Sequence, residues 1–405
     1  MRIRLFSVLM TALACFTLIS CDGNDEPNGG SKTELKSIEL TNGELVVARQ
    51  NNQFAWDMFD HLNATQGNTI VSPLSASFAM CMTANGANGA TREEIYKAFG
   101  FENCDRSDVN SYMRKLSTQL MSLDPKVTMA IANSFWYNKS YNILDSYITS
   151  IKTTYDAEVM PLGTNAVDDI NNWCSQKTNG NINDLLKDGD VSEVTAFVLV
   201  NALFFNGEWK EKFDKKDTFR GAFHSTDGIS AVDFMKGKKN LEFAETMTFS
   251  MASLDFGNSA YAARFILPKT GNTFEGCIDE IKSIGWEEIT KKSTKCETTV
   301  NIPKFSLQNQ LNMNSIYQQM GIVTAFDPIS ADFSNISTNH TNIAKAIQGN
   351  YFEIDESGAT AASVSTNNNI MSNVIPPFTL DRPFIFALTE RSTGAILFIG
   401  KIEKL

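Results

Sequence analysis

The sequence lacks the residue patterns on which most enzyme active sites depend. It has three histidines, His61, His224 and His340, and none of them belongs to an HExxH motif. The nucleophile elbow GxSxG and the phosphate-binding motifs GxGxxG and GxxxxGK[ST] do not occur either. A hydrolase triad would need one of these scattered histidines beside an activated nucleophile, and clustered metal ligands are missing. The sequence therefore argues against an enzyme and predicts no cofactor or metal, and a hydrolase is kept only as a remote alternative.

Long apolar runs are also missing after Ile19, so no transmembrane helix is expected. The only such run, 5–19, follows a basic start and is too short to span a membrane as a stable helix. This pattern is typical of a secretory signal. The sequence Leu-Ile-Ser-Cys at 18–21 resembles the lipobox of bacterial lipoproteins, which would make Cys21 the lipid-modified first residue after cleavage. The alternative is an ordinary signal peptide that carries a cysteine by chance.

These features divide the chain into a lipoprotein signal peptide at 1–20, a flexible tether at 21–45 and a single domain at 46–405. The tether is rich in Gly, Asn and acidic residues, a composition that favours flexibility. We therefore expect an exported protein that is held in the cell envelope by its N-terminal lipid. The lipid could sit in the outer membrane, with the domain facing the periplasm or the cell surface, and we expect a monomer.

An excess of basic residues is absent as well. The chain has 35 Lys and Arg against 46 Asp and Glu, and loss of Arg2 and Arg4 with the signal moves the formal net charge from −11 to −13. A chain of this charge is a poor partner for nucleic acid.

Cysteines are few, and no two of them lie close together in a motif. Of the seven cysteines, Cys15 leaves with the signal and Cys21 takes the lipid, which leaves five and no CxxC motif. An odd number without close pairs does not indicate a disulfide framework or a zinc site, so most of these thiols are expected to be small buried side chains. Whether Cys277 and Cys296 pair is left open by the sequence.

Hydrophobic periodicity predicts a mixture of helices and strands without regular alternation, which favours an α+β fold. Thr91 and Glu94 form a capping-box pattern at the start of a helix that Gly100 ends. The run at 196–205 is almost entirely apolar, as expected for a strand buried on both faces. Other strands are predicted at 68–73, 127–137, 250–256, 261–268 and 298–307, and helices at 53–62, 74–85, 168–176 and 314–320.

The segment ESGATAASVST at 356–366 has no Lys, Arg, Pro or large aromatic residue. Every second side chain from Ala359 to Ser365 is small. In a strand these four side chains, at 359, 361, 363 and 365, would share one face. Such a face can enter between other strands without a clash. The three asparagines at 367–369 indicate an exposed loop instead, so the segment suits both conformations.

Six motifs in order resemble the serpin family and cover the chain from about residue 51 to its end. They are NTIVSPLS at 68–75, GANGAT at 86–91 followed by Glu94, VNALFFNGEW at 200–209, IPKF at 302–305, ADFS at 331–334 and FTLDRPFIF at 378–386. The resemblance implies a serpin fold with three β-sheets, eight to nine helices and an exposed reactive-centre loop.

The resemblance also assigns residues. The sheet-opening region comprises Ser72, Pro73, Asn201, Trp209 and Gln348, where Gln348 stands at a position that is His in many serpins. The hinge of the loop comprises Glu356, Gly358, Ala359, Thr360, Ala361, Ala362, Ser363, Val364 and Ser365. It departs from the usual Gly-Thr-Glu-Ala-Ala by reading Gly-Ala-Thr-Ala-Ala at 358–362.

Serpins include inhibitors and non-inhibitory members, so the fold alone does not decide the function. The resemblance implies a suicide-substrate inhibitor of serine endopeptidases, with cysteine endopeptidases as a second target class, that forms a covalent acyl complex with its target protease. The small alternate face of the hinge favours this inhibitory role. Counting fourteen residues from Gly358 puts the reactive bond at Ser372-Asn373, with Met371-Ser372 as the competitor. Met371 would suit an apolar primary pocket, as in chymotrypsin- or elastase-like proteases, and Ser372 would suit a small one. Neither residue is Arg or Lys, so the expected targets are elastase-, chymotrypsin- or subtilisin-like rather than trypsin-like. The alternative is a non-inhibitory serpin with a binding or structural role.

Overall fold

A computed structural model of the chain describes residues 35–356 and 375–405. All of the described residues lie in one compact unit, Glu34–Leu405. The predicted signal peptide, Cys21, the hinge beyond Glu356 and both candidate reactive bonds lie outside the described residues.

Nine α-helices occur in the described ranges. The first begins with a capping box in which Glu44 N donates to Thr41 Oγ1 and Thr41 N donates to the Glu44 carboxylate. None of the helices in 35–356 or 375–405 combines the length and apolar character that a membrane span requires. Their bounds are α1 Asn42–Asn63, α2 Pro73–Gly86, α3 Gly89–Ala98, α4 Arg106–Gln119, α5 Asp145–Tyr155, α6 Ala166–Lys177, α7 Phe274–Ile284, α8 Trp286–Lys291 and α9 Asn314–Gln319.

Fourteen strands in these same ranges form two sheets. Their bounds are β1 Thr69–Val71, β2 Val127–Tyr137, β3 Glu158–Pro161, β4 Phe197–Gly207, β5 Phe219–Ser225, β6 Gly228–Glu245, β7 Phe249–Asp255, β8 Tyr261–Pro268, β9 Thr294–Pro303, β10 Phe305–Asn312, β11 Lys345–Ile354, β12 Phe378–Thr379, β13 Phe384–Glu390 and β14 Ile396–Ile402.

The larger sheet has nine strands in the order β1-β14-β13-β8-β7-β6-β9-β12, with β5 paired to β6. Strand β6 is 18 residues long and pairs with β5, β7 and β9 along its length. Because β6 pairs with all three strands, it joins two parts of the fold into one hydrogen-bonded sheet. The prediction of three sheets counts these two parts separately.

The smaller sheet has five strands in the order β10-β11-β4-β2-β3. The pairs β10/β11 and β4/β2 are antiparallel, whereas β11/β4 and β2/β3 are parallel. Side chains on β4 alternate between two cores. Leu199, Leu203 and Phe205 face the main core, and Val198, Val200 and Ala202 face a smaller core under α6. Burial on both faces confirms the prediction from the apolar run at 196–205.

Two local predictions are wrong. The helix that contains Thr91 and Glu94 begins at Gly89 with Asn88 as its N-cap, so these residues form no capping box. Thr91 Oγ1 instead accepts from Asp332 N, and the Glu94 carboxylate accepts from Val323 N and Thr324 N, because long-range partners satisfy both side chains. The predicted strand 298–307 is two strands, which end and restart at Lys304 as the chain passes between the sheets.

Other predictions are confirmed. Strands β2 and β8 have the predicted bounds, and the helix with a predicted end at Gly100 stops at Ala98, with Gly100 at a positive φ of 69°. Cys81, Cys104, Cys174, Cys277 and Cys296 are all free thiols, so the open question of a pair between Cys277 and Cys296 is answered against it.

Candidate functional site

The candidate site is the parallel contact between β4 and β11, which we call the seam. It runs from the pair Lys345/Val198 to the pair Phe352/Phe205. Parallel pairing is slightly less stable per residue than antiparallel pairing. The strand β11 leads directly to Glu356 and then to the segment 357–374. The seam is therefore a sheet contact that adjoins the predicted hinge.

The middle of the seam carries the buried side-chain amides of Asn201 and Gln348 on its core-facing side. Together with Asn133 on β2 and the backbone of Ser72, we call these groups the amide cluster (Ser72, Asn133, Asn201 and Gln348). Gln348 lies opposite Asn201 across the seam, and Asn201 lies opposite Asn133 on β2. Gln348 Oε1 accepts from Ser72 N at 2.9 Å, and its Nε2 donates to Ser72 O at 2.7 Å. The amide cluster thus ties the start of α2 to β11.

The other two members of the amide cluster, Asn201 and Asn133, lie on the β4 side of the seam. Asn201 Nδ2 donates to Asn133 Oδ1, and Asn133 Nδ2 donates to Tyr155 O at 3.0 Å. Within the described ranges no side-chain hydrogen bond joins β4 to β11, and Asn201 Oδ1 has no donor. A buried acceptor without a donor is unfavourable, so the middle of the seam has spare hydrogen-bonding capacity.

At the end of the seam a hydrogen bond does cross between its two sides. Trp209, two residues beyond β4, donates from Nε1 to Asp355 O at 2.9 Å, just beyond β11. Its indole stacks on Phe256 with ring centroids 4.4 Å apart. A cavity of about 200 Å³ opens here, lined by Phe204, Phe205, Trp209, Tyr351 and Asp355 among others. The strand ends thus leave space at the point where the chain leaves the sheet.

Glu356 is held by what we call the acid anchor (Thr218, Lys304 and Glu356). Thr218 Oγ1 donates to Glu356 Oε1 at 2.7 Å, and Lys304 Nζ lies 2.9 Å from Oε2. The Glu356 side chain is 4% exposed and that of Lys304 is 38% exposed. Burial by itself raises the pKa of Glu356, but the hydrogen bonds from Thr218 and Lys304 outweigh it, so the pKa lies below its usual value. The hydrogen bond to Glu356 raises the pKa of Lys304.

The other end of the segment 357–374 is attached to β9, the strand that ends directly before Lys304. Thr298 Oγ1 on β9 lies 3.1 Å from Ile375 O and 3.2 Å from Pro376 O. Next, β12 pairs in parallel with Val300 and Asn301 of β9. One attachment point of the predicted reactive loop therefore lies on β9, and the other, the acid anchor, includes the residue just after the end of β9.

The structure brings three of the five predicted sheet-opening residues into one cluster, namely Ser72, Asn201 and Gln348. Pro73 is the first residue of α2, directly after Ser72, which caps that helix by accepting from Ser75 N. Trp209 lies at the end of the seam rather than with the amides. Of the predicted hinge residues only Glu356 is described, so the remaining hinge residues, the two candidate bonds and Cys21 stay predictions.

The sequence did not reveal Thr218, Lys304 or Asn133 as part of the site. Thr218 lies 138 positions before Glu356, and no local motif marks it. Lys304 belongs to the IPKF motif, but its partner was not evident. The signal that could have been used is Glu356 as the last acidic residue before a long uncharged stretch, since a buried acid needs a cation or donors.

Comparisons with known proteins agree with this architecture. Residues 49–405 match the profile of the family described as Serpin (serine protease inhibitor). Leukocyte elastase inhibitor A from Mus musculus is 29% identical over 375 residues, which cover 88% of this chain and 98% of the relative. The crystal structure of the thermophilic serpin tengpin in the native state is 26% identical, with a TM-score of 0.80 over 92% of this chain and 97% of tengpin.

Human thyroxine-binding globulin, in complex with its ligand, is 24% identical, with a TM-score of 0.79 over 89% of this chain and 99% of the globulin. This likeness concerns the fold alone. The profile match over most of the chain, together with the six motifs and the two sheets, identifies the family. The chain belongs to the serpin family.

Proposed function

We propose that this protein is an inhibitory serpin, a suicide substrate that traps a serine endopeptidase as an acyl-enzyme by inserting its cleaved loop into the seam. The observation that carries the proposal is the parallel pairing of β11 with β4, directly before the loop. A segment that leaves the end of β11 and folds back runs antiparallel to β11. Because β4 is parallel to β11, the same segment is antiparallel to β4 as well, and it would replace one parallel contact by two antiparallel ones.

The hinge composition supports this insertion. Ala359, Ala361, Ser363 and Ser365 form a small, uncharged alternate face that can enter the sheet towards the core. A charge on that face would cost several kcal/mol. The serine hydroxyls also offer donors to a region in which Asn201 Oδ1 has none among the described residues.

The free energies are of a suitable size. Inserting a strand forms about ten new backbone hydrogen bonds at roughly 0.5–1.5 kcal/mol each, which amounts to about 5–15 kcal/mol before side-chain burial. A protease domain is stable by about 5–15 kcal/mol. Insertion is thus large enough to distort a tethered protease and stall its deacylation, by strand addition that releases stored strain.

The test is incubation of the full-length exported protein with elastase, subtilisin, chymotrypsin and trypsin, followed by a denaturing gel. We expect an SDS-stable complex with at least one of the first three, and none with trypsin, because neither candidate bond offers Lys or Arg. Mass spectrometry of the released C-terminal fragment identifies the bond. A fragment that starts at Asn373 or Ser372 supports the proposal, and a start elsewhere contradicts both assignments.

A charge on the inserting face should convert the inhibitor into a substrate. We expect Ala359→Arg to lose most of the SDS-stable complex while cleavage of the loop continues, because the guanidinium would have to enter the seam. The matched control is Thr360→Arg, which places the same charge on the opposite face of the segment. Complex yield from Ala359→Arg equal to that of Thr360→Arg would exclude insertion with this face inward.

A non-inhibitory binding role is the second candidate, since the fold is also that of thyroxine-binding globulin. That role predicts cleavage of the loop without a covalent complex and without a large gain in thermal stability. The same gel and a thermal melt of the cleaved protein distinguish the two. Cysteine endopeptidases are tested in the same way.

The N-terminal pattern supports a further part of the proposal, that Cys21 carries a lipid and holds the inhibitor in the cell envelope. An anchored inhibitor would guard the envelope against proteases. Cys21→Ser should release the exported protein from the membrane fraction, whereas Cys15→Ser, within the predicted signal peptide, should not.

A further inference from the structure

A second, larger cavity of about 570 Å³ lies beside the segment that follows β4. Its walls come from 209–211, from 239–242 of β6, from 253–255 of β7 and from 295–296 of β9. We call it the lysine cavity. Small-molecule sites usually have volumes of about 300–1,000 Å³, so the lysine cavity is large enough for a small ligand.

Lys239 is the buried cation of the lysine cavity, with an exposed fraction of 5%. Its Nζ donates to Glu211 O at 2.8 Å and to Lys212 O, and it lies 4.2 Å from the centre of the Phe213 ring. A Cβ on Gly237 would lie 2.9 Å from Lys239 Cε. The glycine therefore leaves the space that the lysine side chain occupies.

The ammonium of Lys239 has a donor to spare. An ammonium carries three N–H groups, and the two carbonyls accept from two of them. Among the residues that the structure describes, no carboxylate forms an ion pair with Lys239, and the Glu211 carboxylate instead accepts from Asn240 N and Nδ2. Burial lowers the pKa of Lys239 to about 8 against the opposing effect of the Glu211 charge, so the group is mainly cationic at pH 7. A buried cation without an acid partner is unfavourable, and an anion in the cavity would relieve this cost.

The charges around the lysine cavity leave an excess of positive charge. Asp255 accepts from Arg391 Nε at 2.9 Å, and Glu242 accepts from Arg391 Nη1 at 2.9 Å, so these two acids are already paired. Lys295 is exposed and has no ion pair within 35–356 and 375–405. The walls carry four cations and three acids, one positive charge in excess, in a chain of net charge −11 (Lys210, Lys239, Lys295 and Arg391 against Glu211, Glu242 and Asp255).

We propose that the lysine cavity binds a small organic monocarboxylate, which accepts the spare hydrogen bond of Lys239. Trp209, Leu241 and Leu254 supply apolar wall for the body of this ligand, and Lys295 adds a second positive charge. A single negative charge matches the excess of one positive charge. A phosphate would carry more charge past three acids, and the arginine that could bind it in a bidentate manner is already paired. The site does not rest on the proposed inhibition of proteases.

The test measures binding of octanoate and of octanol to the full-length protein by titration calorimetry at pH 7. The two probes have the same number of carbon atoms and differ in charge. A hydrogen bond to a charged group changes an equilibrium roughly 10- to 100-fold, so octanoate should bind more tightly than octanol by about this factor. Lys239→Met keeps an unbranched side chain without the charge, and it should lose this preference while octanol binds as before.

The matched control is Lys238→Met, at the preceding position of β6. The Lys238 side chain is 66% exposed and pairs with Glu297, and alternation along the strand directs it away from the face of Lys239. This control should bind both probes as the parent does. Lys295→Met changes an exposed side chain without an ion pair, and it should weaken octanoate about two- to fivefold and leave octanol unchanged.

Three results would overturn the site. They are no binding of octanoate by the parent, equal affinity of the parent for the two probes, and parent-like octanoate binding in both Lys239→Met and Lys295→Met. If Lys239→Met does not fold, the preference of the parent and the loss in Lys295→Met decide. Formation of an SDS-stable protease complex is unaffected by any of these outcomes, so a failure of this site and a failure of the proposed inhibition are distinguishable.

Discussion

The amide cluster and the acid anchor stabilise the same closed sheet by different chemistry. Neutral side chains with neutral partners make up the amide cluster, which is buried on the core side of the seam. The acid anchor is an ion pair in which the acid is buried and the lysine is half exposed. The middle of the seam should therefore contribute more stability and respond little to pH, whereas the end should contribute less and respond to acid.

The largest effect should come from Gln348→Leu. The change removes both bonds to Ser72 and leaves its buried backbone N–H without a partner, at about 1–3 kcal/mol, whereas Ser72 O keeps the bond that it accepts from Ala76 N. With the lost bond to Ser72 O counted at about 1 kcal/mol, we expect the native state to lose about 2–4 kcal/mol, measured as a fall in the thermal midpoint. Gln319→Leu on the exposed side of α9 is the control. A midpoint no lower than that of the control would remove the amide cluster from the list of stabilising elements.

An intermediate effect should come from the acid anchor, and the two partners should differ. Lys304→Met leaves the buried Glu356 carboxylate without its cation and should cost about 1–3 kcal/mol. Glu356→Gln keeps a carbonyl acceptor for Thr218 and leaves a lysine that water can solvate, so it should cost about 0–1 kcal/mol. The measurement is the thermal midpoint of each variant and of the double variant.

The double variant should be more stable than Lys304→Met alone, because no uncompensated carboxylate remains. If Glu356→Gln proved the more damaging single change, the carboxylate would contribute more than its ion pair with Lys304. The stabilising partner of Glu356 would then be Thr218 rather than Lys304, and the contrast between an ion pair and the neutral amide cluster would no longer hold.

The smallest effect should be the dependence on pH. The pKa of Glu356 is lowered in the folded protein, so its stabilising contribution is complete above the ordinary glutamate value of about 4.3 and is lost as the pH falls through the lowered pKa. The difference in thermal midpoint between the parent and Glu356→Gln should therefore shrink below about pH 4. The difference between the parent and Gln348→Leu should stay constant from pH 4 to pH 8. The contrast between the two regions fails if the second difference also changes.

Much of the fold could be predicted where local pattern and final environment agree. The apolar run at 196–205 indicated a strand buried on both faces, and β4 is one because α6 and the connection at 178–190 cover its outer face. The capping box predicted at Thr91 and Glu94 does not form, because backbone N–H groups at 323–332 bond to the same side chains. The continuous strand predicted at 298–307 failed at Lys304, where the chain changes sheets.

The candidate site was predictable only in part. Ser72, Asn201 and Gln348 were named through family resemblance, and the structure places them together. Thr218 and Lys304 were not associated with Glu356. A buried acid requires donors or a cation, but the sequence around it does not show where along the chain these partners lie.

The sequence by itself determined the periodicities: which faces of each strand are apolar, where uncharged small residues alternate at the hinge, and that no enzyme motif is present. These properties depend on residues that are close in the sequence, because successive side chains of a strand point to opposite faces. Only the tertiary structure decided that β11 lies beside β4, in parallel, with the connection at 178–190 across one face and the amides on the other. That choice joins segments more than a hundred residues apart, and it depends on the packing of both sheets at once.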